Sequence, residues 1–448
     1  MRRMSHICRV IATALLCGMV ALALASDLQA GDSVSVERTG LTLSQALARL
    51  ETVSPALLAS RDRALALDKR ASRDGGWENP MFMYERMLDR GHVSSYDVTR
   101  EISVTQALPL FRPNAARGDM TRADRDAQKA RAEETRLRLR AELAGLYYEY
   151  RFLEAERMAL SVHRETLAME AKVAGVEQSV GALSRADALS AQLELAGTEN
   201  ELLTLADEKR ATLAAINGLI TREAEASIDI TDTTDTASIR GGLVFSDSVI
   251  VRYALEHSPR LRLAGAMIAG ARANERMALR EYFPMLSVTA RHMKTESVLH
   301  QGGPPEEGSK WMGGVGVSVP LWAWQNISAK RSAAAFVSAE RYDSLAMARE
   351  LVTETRMALT KTHEADRRRR LAREIRLPLS ADALAATEAL YAGGTARFGE
   401  LLSAQRLLFT AKRELARAEA DFSIAVANLE ALVGAPLTDG ALENGESQ

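Results

Sequence analysis

The sequence predicts a mostly helical fold with a small β part, arranged as two copies of one plan. The duplication is clearest where the segment Gly181–Gln192 recurs as Gly394–Gln405, because both segments end in Leu-Ser-Ala-Gln. Long segments rich in Ala, Leu, Glu and Arg predict helices, and short segments of alternating apolar and polar residues predict strands. Further matching pairs keep one order along the chain and predict a duplicated module: Ser54-Pro55 with Ser258-Pro259, Asn79-Pro80 with Phe283-Pro284, and Pro109-Leu110 with Pro320-Leu321.

The predicted domain boundaries follow these two copies. The joining segment is rich in Thr and Asp and has no strong helical pattern, and the polar C-terminal segment is typical of a disordered tail. We assign residues 1–30 to a signal peptide, 31–220 to the first repeat, 221–242 to the linker between the repeats, 243–434 to the second repeat and 435–448 to the tail.

The N-terminus is typical of a secretory signal peptide. Basic residues precede an apolar run from Val10 to Ala25, and small residues follow where cleavage is expected. Both cysteines, Cys8 and Cys17, lie inside this segment. The mature protein is therefore predicted to have no disulfide and no cysteine metal site.

Charge and hydropathy narrow the class of protein. The formal net charge is −2, so nucleic acid is not predicted as a partner. Beyond the signal peptide no run approaches the roughly 18 apolar residues of a membrane helix. A secreted protein of this composition could enter a membrane only as strands, which leaves a soluble protein or a β-barrel.

Two very long helices are predicted, from about residue 114 to 176 and from about 325 to 391, with Pro378 as the internal break of the second. At 1.5 Å per residue each would be about 95 Å long, far more than a globular domain needs. Seven-residue spacing of apolar residues predicts coiled-coil packing. The last helix has two such rows: Leu401, Leu408, Leu415, Phe422 and Leu429, and Ala404, Ala411, Ala418, Ala425 and Leu432.

Two strand hairpins are predicted, at residues 81–108 and 285–320. In the second strand of the first hairpin, apolar residues such as Ile102 and Val104 alternate with polar residues such as Glu101 and Ser103, which is the period of a strand with two unlike faces. The segment from Thr295 to Lys310 is rich in Gly and Pro and is predicted to be an exposed loop. Prolines mark the changes between helix and strand: Pro80, Pro109, Pro284 and Pro320.

Four amphipathic strands per chain are too few for a membrane barrel, which needs about eight. Three chains would supply twelve strands and four chains sixteen, so counting alone leaves both assemblies open. A barrel of that size has a wet interior, as the polar faces with Glu101 and Ser103 require. The pattern therefore predicts a channel made of several chains.

With these segments in place, the chain resembles the TolC family of outer-membrane efflux proteins. The most specific segments are Tyr391–Gln405 and the helix end Leu429–Gly434, which look closest to the heavy-metal, CzcC-like branch. The resemblance implies a trimeric outer-membrane β-barrel with four strands per chain, continued by an α-helical coiled-coil tunnel in the periplasm. It also implies a homotrimer in outer-membrane lipid that works with a periplasmic membrane-fusion adaptor and an inner-membrane RND-type pump.

The function implied is that of a passive exit duct for heavy-metal cations, opened by the adaptor. Two alternatives stay open: an exit duct for multidrug efflux or type I protein secretion, and a secreted coiled-coil scaffold that never enters a membrane. No nucleophile–base set, nucleotide motif or cofactor-binding motif occurs in the sequence, so the protein is not predicted to be an enzyme or to hold a cofactor.

In this family the two helix–helix turns form the periplasmic tip where the adaptor docks. Glycines at sharp reversals often need a positive φ, which Gly181 and Gly394 would supply. The residues that the resemblance assigns to docking are Gly181, Ala182, Leu183 and Ser184 in the first turn and Gly393, Gly394, Thr395 and Ala396 in the second.

The resemblance also implies a gate beside the tip. An acid six positions after the first turn glycine is Asp187, and the matching tyrosine is Tyr391. The arginine of the family pattern is expected at Ala396, whereas this chain has Arg397 one residue later. A family acid that lines the constriction maps to Glu400. We interpret these four residues, Asp187, Tyr391, Arg397 and Glu400, as the candidate gate.

Thioethers cluster in the first hairpin at Met81, Met83 and Met87, with His92 nearby. Soft sulfur ligands suit monovalent copper or silver. The two-residue spacing equally suits packing on one strand face, and we interpret the methionines as packing residues. No metal site is therefore predicted.

Overall fold

The computed structural model describes residues 42–90, 95–108, 111–181, 183–228, 246–299, 306–319, 323–435 and 437. The predicted signal peptide, most of the predicted linker and tail, and the predicted sites at Ala182, Pro109 and Pro320 lie outside the described residues. Within the described ranges, no helix has an apolar stretch of the length that crosses a membrane.

The elements occur in the same order in residues 43–219 and again in 247–433, with two short helices, two strands, a long helix and a returning helix. The first half contains α1 (Leu43–Val53), α2 (Pro55–Asp74), β1 (Met81–Arg90), β2 (Ser95–Leu108), α3 (Pro113–Ser179) and α4 (Arg185–Leu219). The second half contains α5 (Asp247–His257), α6 (Pro259–Arg280), β3 (Met285–Leu299), β4 (Glu306–Ser318), α7 (Ala323–Leu371), a π-helical turn (Ala372–Arg376), α8 (Leu377–Ala392) and α9 (Phe398–Val433).

The long helix of the first half is unbroken, whereas that of the second half is not. Helix α3 has 67 residues, which is a length of about 100 Å. Helix α7 has 49 residues and passes through the π-helical turn into α8. Pro378 is in the first turn of α8, where its missing N–H and its ring would disturb a regular helix. The wider π turn absorbs this disturbance, so the helical direction continues to residue 392.

The heptad rows of α9 pack into the molecule. Leu401, Phe422 and Leu429 are buried, as are Ala404, Ala411 and Ala418 of the second row. The alanine row allows the backbone of a neighbouring helix to come close. Helix α9 packs against both α3 and α7, so it joins the two halves along their length.

The four strands form one antiparallel sheet in the order β1-β2-β3-β4. The two predicted hairpins are therefore joined through β2 and β3, with Thr99 opposite Thr295 and Thr105 opposite Thr289. The prediction of a loop from Thr295 to Lys310 was wrong for most of that segment, because β3 continues to Leu299 and β4 begins at Glu306. The glycines and prolines of this segment lie mainly at 302–305, between the two strands in sequence, whereas residues 295–299 contain neither and pair with β2.

The sheet has two unlike faces, as the alternation predicts. Arg100 is an exception, because it lies on the otherwise apolar face, where its side chain approaches Glu296 at 3.4 Å. The apolar face carries Phe82, Tyr84, Ile102, Val288, Trp311, Val315 and Val317. The polar face carries Glu85, Thr99, Glu101, Ser103, Thr105, Thr289, Arg291 and Thr295.

The polar face is the more enclosed of the two. Ser103 is 2 % exposed, whereas its neighbour Ile102, on the apolar face, is 52 % exposed. Hydroxyl pairs tie β2 to β3 on this face, at 3.3 Å between the Oγ1 atoms of Thr99 and Thr295. Crowding on one face and openness on the other indicate a sheet that curves towards its polar side.

Candidate functional site: the helix turns

The first helix turn joins α3 to α4 through a left-handed glycine. Gly181 has a φ of +77° and donates its backbone N–H to the carbonyl of Gln178 at 3.1 Å. A Cβ at this position would meet nothing within 4 Å, so the need for glycine comes from the backbone angle and not from crowding. Ser184 then caps α4, because its Oγ accepts a hydrogen bond from the N–H of Asp187 at 3.1 Å.

The second turn joins α8 to α9 by the same device. Gly394 has a φ of +73°, again with nothing within 4 Å of a built Cβ. Thr395 donates both its N–H and its hydroxyl to the carbonyl of Leu390, each at 2.9 Å. At the start of α9, the Glu400 carboxylate accepts the backbone N–H of Arg397 at 3.2 Å. Both positive φ angles agree with the sharp reversals that the sequence predicts.

Small side chains bring the two turns together at one end of the molecule. Phe398, at the start of α9, is buried against a set of alanines from helices α3 and α4. Tyr391 packs at the edge of this cluster. The Tyr391 and Phe398 rings are 6.2 Å apart. The buried alanines are Ala171, Ala174, Ala188 and Ala191.

Among the four candidate gate residues, Arg397 and Glu400 contact each other at the start of α9, whereas Asp187 and Tyr391 have other partners. Asp187 accepts a hydrogen bond from the Ser184 hydroxyl at 2.6 Å, at the positive end of α4. Tyr391 donates its hydroxyl to Glu177 at 3.5 Å. Among the described residues, no hydrogen bond or ion pair joins Asp187 to Tyr391 or to Arg397. Arg397 and Glu400 have exposed side chains at the start of α9.

Sequence reasoning missed Glu177 as the partner of Tyr391. Burial raises the pKa of the Tyr391 hydroxyl above its usual value, and the negative charge of Glu177 raises it further. The two residues are 214 positions apart, so neither helical nor strand periodicity relates them. The one available signal was the position of Glu177 in the last turn of α3, close to Gly181.

A second polar contact missed by the sequence lies two turns deeper, where Gln405 of α9 donates its side-chain amide to Glu170 of α3. Burial raises the pKa of Glu170; the hydrogen bond from Gln405 lowers it in part, and the charge of Glu388 raises it again. The other oxygens of this pair, Glu170 Oε2 and Gln405 Oε1, are buried and lack a hydrogen-bond partner. A proton on Glu170 Oε2 would let it donate to Gln405 Oε1, which would satisfy both atoms at once.

Further from the tip, arginines of α9 pair with acidic residues of helices α3 and α4. Arg413 approaches Glu156 at 2.5 Å, and Arg417 approaches Glu149 at 2.7 Å. Arg406 pairs with Glu194 of α4. These contacts repeat along α9 and hold it against α3 and α4, with side chains exposed enough to be weakened by salt.

In the described ranges, the side chains that commonly bind hard metal ions do not cluster. In the described part of the chain there is no group of three or more His, Cys, Asp or Glu side chains with the spacing of a metal site. The polar contacts at the tip join helices to each other.

Known proteins resemble this chain in sequence over much of one half and in fold over most of its length. Residues 250–435 match the family described as outer membrane efflux protein. Over this range, the chain is similar to that family. This agrees with the resemblance to the TolC family, and it does not distinguish the heavy-metal branch from other branches. No curated protein matches the sequence.

Solved structures extend the likeness in fold to nearly the whole chain. VceC of Vibrio cholerae is 15 % identical with a TM-score of 0.70, over 88 % of this chain and 96 % of that protein. CusC is 14 % identical with a TM-score of 0.73, over 88 % and 92 %. The open state of the MtrE outer membrane channel of Neisseria gonorrhoeae is 15 % identical with a TM-score of 0.70, over 92 % and 94 %.

The matched range includes β3, β4, the turn at Gly394 and all of α9. Tyr391, Arg397 and Glu400 lie inside the matched range, whereas Asp187 and Glu177 lie in the first half of the chain. The contact between Tyr391 and Glu177 therefore connects the matched domain to its preceding half.

Proposed function

We propose that this chain is one subunit of a homotrimeric outer-membrane channel that serves as the passive exit duct of a tripartite efflux system. Its cargo is heavy-metal cations, and it opens when a periplasmic membrane-fusion adaptor, coupled to an inner-membrane RND-type pump, engages the helix turns. The sheet lies in the membrane, and the helices form the tunnel in the periplasm.

The two unlike faces of the sheet support the proposal that the sheet lies in the membrane. The apolar face, with Phe82, Trp311 and Val315, suits contact with lipid, and the enclosed polar face suits a wet lumen. Strands β1 and β4 each have one unpaired edge, so a single copy leaves backbone groups that need partners. Three copies placed edge to edge supply twelve strands and close the ring.

The observation that carries this proposal is the position of the aromatic residues. Each of the four junctions between helix and strand has an exposed aromatic side chain: Trp77, Phe111, Phe283 and Trp324, which are 42–70 % exposed. Phe111 and Phe283 stack with their ring centroids 4.2 Å apart. Aromatic girdles mark the lipid–water boundary of membrane barrels, whereas a scaffold in solution has no reason to expose aromatics at one level.

The length of the helices supports the proposal of a tunnel, and their turns support the proposal of a docking tip. Helix α3 alone is about 100 Å long, and both turns lie at the end remote from the sheet. The turns at Gly181 and Gly394 present small residues and the exposed Val180, which leaves room for a helical hairpin of an adaptor to pack. Opening would then separate the two hairpins that meet at Phe398.

The choice of heavy-metal cations rests on the resemblance of the segments Tyr391–Gln405 and Leu429–Gly434 to that branch. Glu85 on the polar face, which forms no ion pair with a described residue, favours cations over anions in a lumen.

Two experiments test the proposal. The purified protein, extracted with detergent, is placed in planar bilayers and in a cross-linking assay with cysteines introduced on β1 and β4. We expect discrete conductance steps and a three-chain product. A protein that is recovered in buffer without detergent and gives no conductance would instead be a coiled-coil scaffold.

A deletion strain tests the cargo. We expect sensitivity to copper, silver, cobalt, zinc or cadmium, with unchanged tolerance of dyes, detergents and hydrophobic antibiotics. Sensitivity to the organic compounds alone would move the assignment to multidrug efflux. Complementation by the intact gene is the control.

A further inference from the structure

The methionines of the sheet are segregated on one face. Six lie in the strands, and the register places all six on the polar face: Met81, Met83, Met87, Met285, Met293 and Met312. Met83 is opposite Ser103, and Met312 is opposite Arg291. In the described strands no methionine lies on the apolar face, where the large apolar residues are aromatic, β-branched or leucine.

This arrangement offers a second interpretation of the methionines, beside packing. A methionine that served as a lipid-facing residue would lie on the apolar face, and one that served as core would be buried. Met81, Met83, Met87 and Met285 are instead 40–62 % exposed among hydroxyl and carboxylate groups. An exposed thioether on a polar surface is still a soft, polarisable ligand, which gives these side chains a chemical use that leucine would lack.

The spacing on β1 brings thioethers within reach of each other. Met81 and Met83 lie two residues apart on the same face, so their Cα atoms are separated by about 7 Å. Methionine has three rotatable bonds, so two such sulfur atoms can converge on one ion. Strand β1 is at the edge of the sheet, and β4, which carries Met312, is at the other edge. In a closed ring, β4 of one copy would lie beside β1 of the next and add a third thioether.

The charge of this face suits a cation. Glu85 lies between Met83 and Met87 on the same face of β1, and it forms no ion pair with any described residue. Glu101, its partner across the strands, is neutralised by Arg291 at 2.8 Å. The free carboxylate thus attracts a cation to a surface whose other donors are sulfur. Hard divalent ions prefer oxygen or imidazole ligands, which are not clustered here.

We propose that the methionines of the polar face, with Met81, Met83 and Met87 as the principal set and Glu85 as the neighbouring charge, bind monovalent soft cations of the Cu(I) and Ag(I) class. The site deepens the proposed function and rests on it, because it names the class of heavy-metal cargo and takes the polar face to be the lumen. Thioether sites without a thiolate hold such ions weakly, which suits passage along the duct.

The test titrates Ag(I) into the mature protein in detergent, without the predicted signal peptide and its two cysteines, labelled with ¹³C on the methionine methyl groups. The sheet variant is M81L/M83L/M87L, because leucine keeps the apolar volume and removes sulfur. The matched control is M158L/M169L on α3, whose methionines are 53 % and 65 % exposed. We expect Ag(I) to shift the sheet methyl signals first, and the sheet variant to lose at least tenfold in affinity while the control keeps it.

A second variant tests the charge. Glu85→Gln should weaken Ag(I) binding several-fold without moving the methyl signals of the silver-free protein. Equal Ag(I) affinity in the wild type and the sheet variant would overturn the proposal, as would silver shifts that appear first at Met158 and Met169.

Measuring the conductance of the same wild-type preparation distinguishes a failure of the proposed methionine site from a failure of the proposed channel. Conductance without silver binding at the sheet would refute the methionine site and leave the channel. Silver binding at the sheet without conductance would refute the channel and support a soft-cation site on another kind of protein.

Discussion

The sheet end and the tip end of this molecule are held by different kinds of interaction. In the sheet, continuous main-chain pairing from β1 to β4 fixes the register over as many as 14 residue pairs between β2 and β3. At the tip, small alanine side chains around Phe398 and a few polar contacts hold the two hairpins together. Main-chain pairing depends little on side-chain charge, whereas the tip contacts include groups that can be titrated or substituted singly. The comparison indicates that the sheet end is the fixed part and that the tip is the adjustable part.

The largest effect that would test this difference is a proline in a central strand. Val104→Pro in β2 removes a ladder hydrogen bond and introduces a ring between two paired strands, which we expect to cost about 3 kcal/mol or more in the free energy of unfolding. The measurement is denaturant unfolding in detergent together with cross-linking of the assembly. Val104→Ala is the control, and similar stability of both variants would contradict a sheet fixed by its backbone.

A smaller effect is expected from the glycines of the turns. Gly181→Ala and Gly394→Ala force an L-residue to a φ above +70°, which should cost about 1 kcal/mol each. Since a built Cβ meets nothing within 4 Å, the cost comes from the backbone alone. Protease cleavage at the tip should increase. Gly399→Ala, within α9 and also uncrowded, should leave the tip unchanged or more stable; equal cleavage of all three variants would count against the prediction.

The next prediction concerns pH. Because the pKa of Glu170 is raised above its ordinary value of 4.5 in the folded protein, its neutral form is favoured by folding. The contact with Gln405 should therefore be strongest at acid pH and weaken as the pH rises from about 4.5 through the raised folded pKa. The protection factors of the surrounding segment of α3, which are the intrinsic hydrogen-exchange rates at each pH divided by the observed rates, should fall over this range. The charged groups on the packed elements include Glu388 of α8, which acts in the same direction.

Glu170→Gln replaces the titrating oxygen by an amide that can donate to Gln405 at every pH. We expect it to remove the pH dependence and to stabilise the tip by about 1 kcal/mol at pH 8. Glu165→Gln, exposed on the same helix, is the matched control. A wild type whose protection factors are independent of pH would show that Glu170 does not carry the proton.

The smallest effect is expected at the candidate gate. Tyr391→Phe and Glu177→Gln each weaken one hydrogen bond of 3.5 Å, worth about 0.5 kcal/mol, and the double variant should add little to either. Each should raise conductance in planar bilayers slightly. Asp187→Asn acts through the start of α4 and should be additive with them. Unchanged conductance in all of these variants would remove the gate from this position.

Much of the helical architecture could be predicted because it repeats. The seven-residue rows and the prolines located α3 at Pro113–Ser179 against an expected 114–176, and α7 with α8 at 323–392 against an expected 325–391. Strand alternation likewise predicted the faces of the sheet. The failure at 295–310 has a different origin, because composition indicated a loop while pairing with β2 supplied a strand.

The contacts of the candidate site could not be predicted in the same way. Tyr391 meets Glu177, and Gln405 meets Glu170, across more than 200 residues of chain. Such pairs depend on the offset between two hairpins, which is set by packing at Phe398 and the alanines. A single sequence records the residues but not the offset, so the resemblance to a family could name Tyr391 while leaving its partner unknown.

The topology of the sheet also bears on how the protein would enter a bilayer. All four junctions with the helices lie at one end of the strands, so the opposite end consists only of the connections at residues 91–94 and 300–305. Neither connection contains Asp, Glu, Lys or Arg. Transfer of a charged side chain through hydrocarbon is the expensive step in crossing a membrane. The strand ends still contribute charged residues, including Asp89, Arg90 and Glu306, so under the proposed function the two connections ease insertion only by adding no further charge to the barrier.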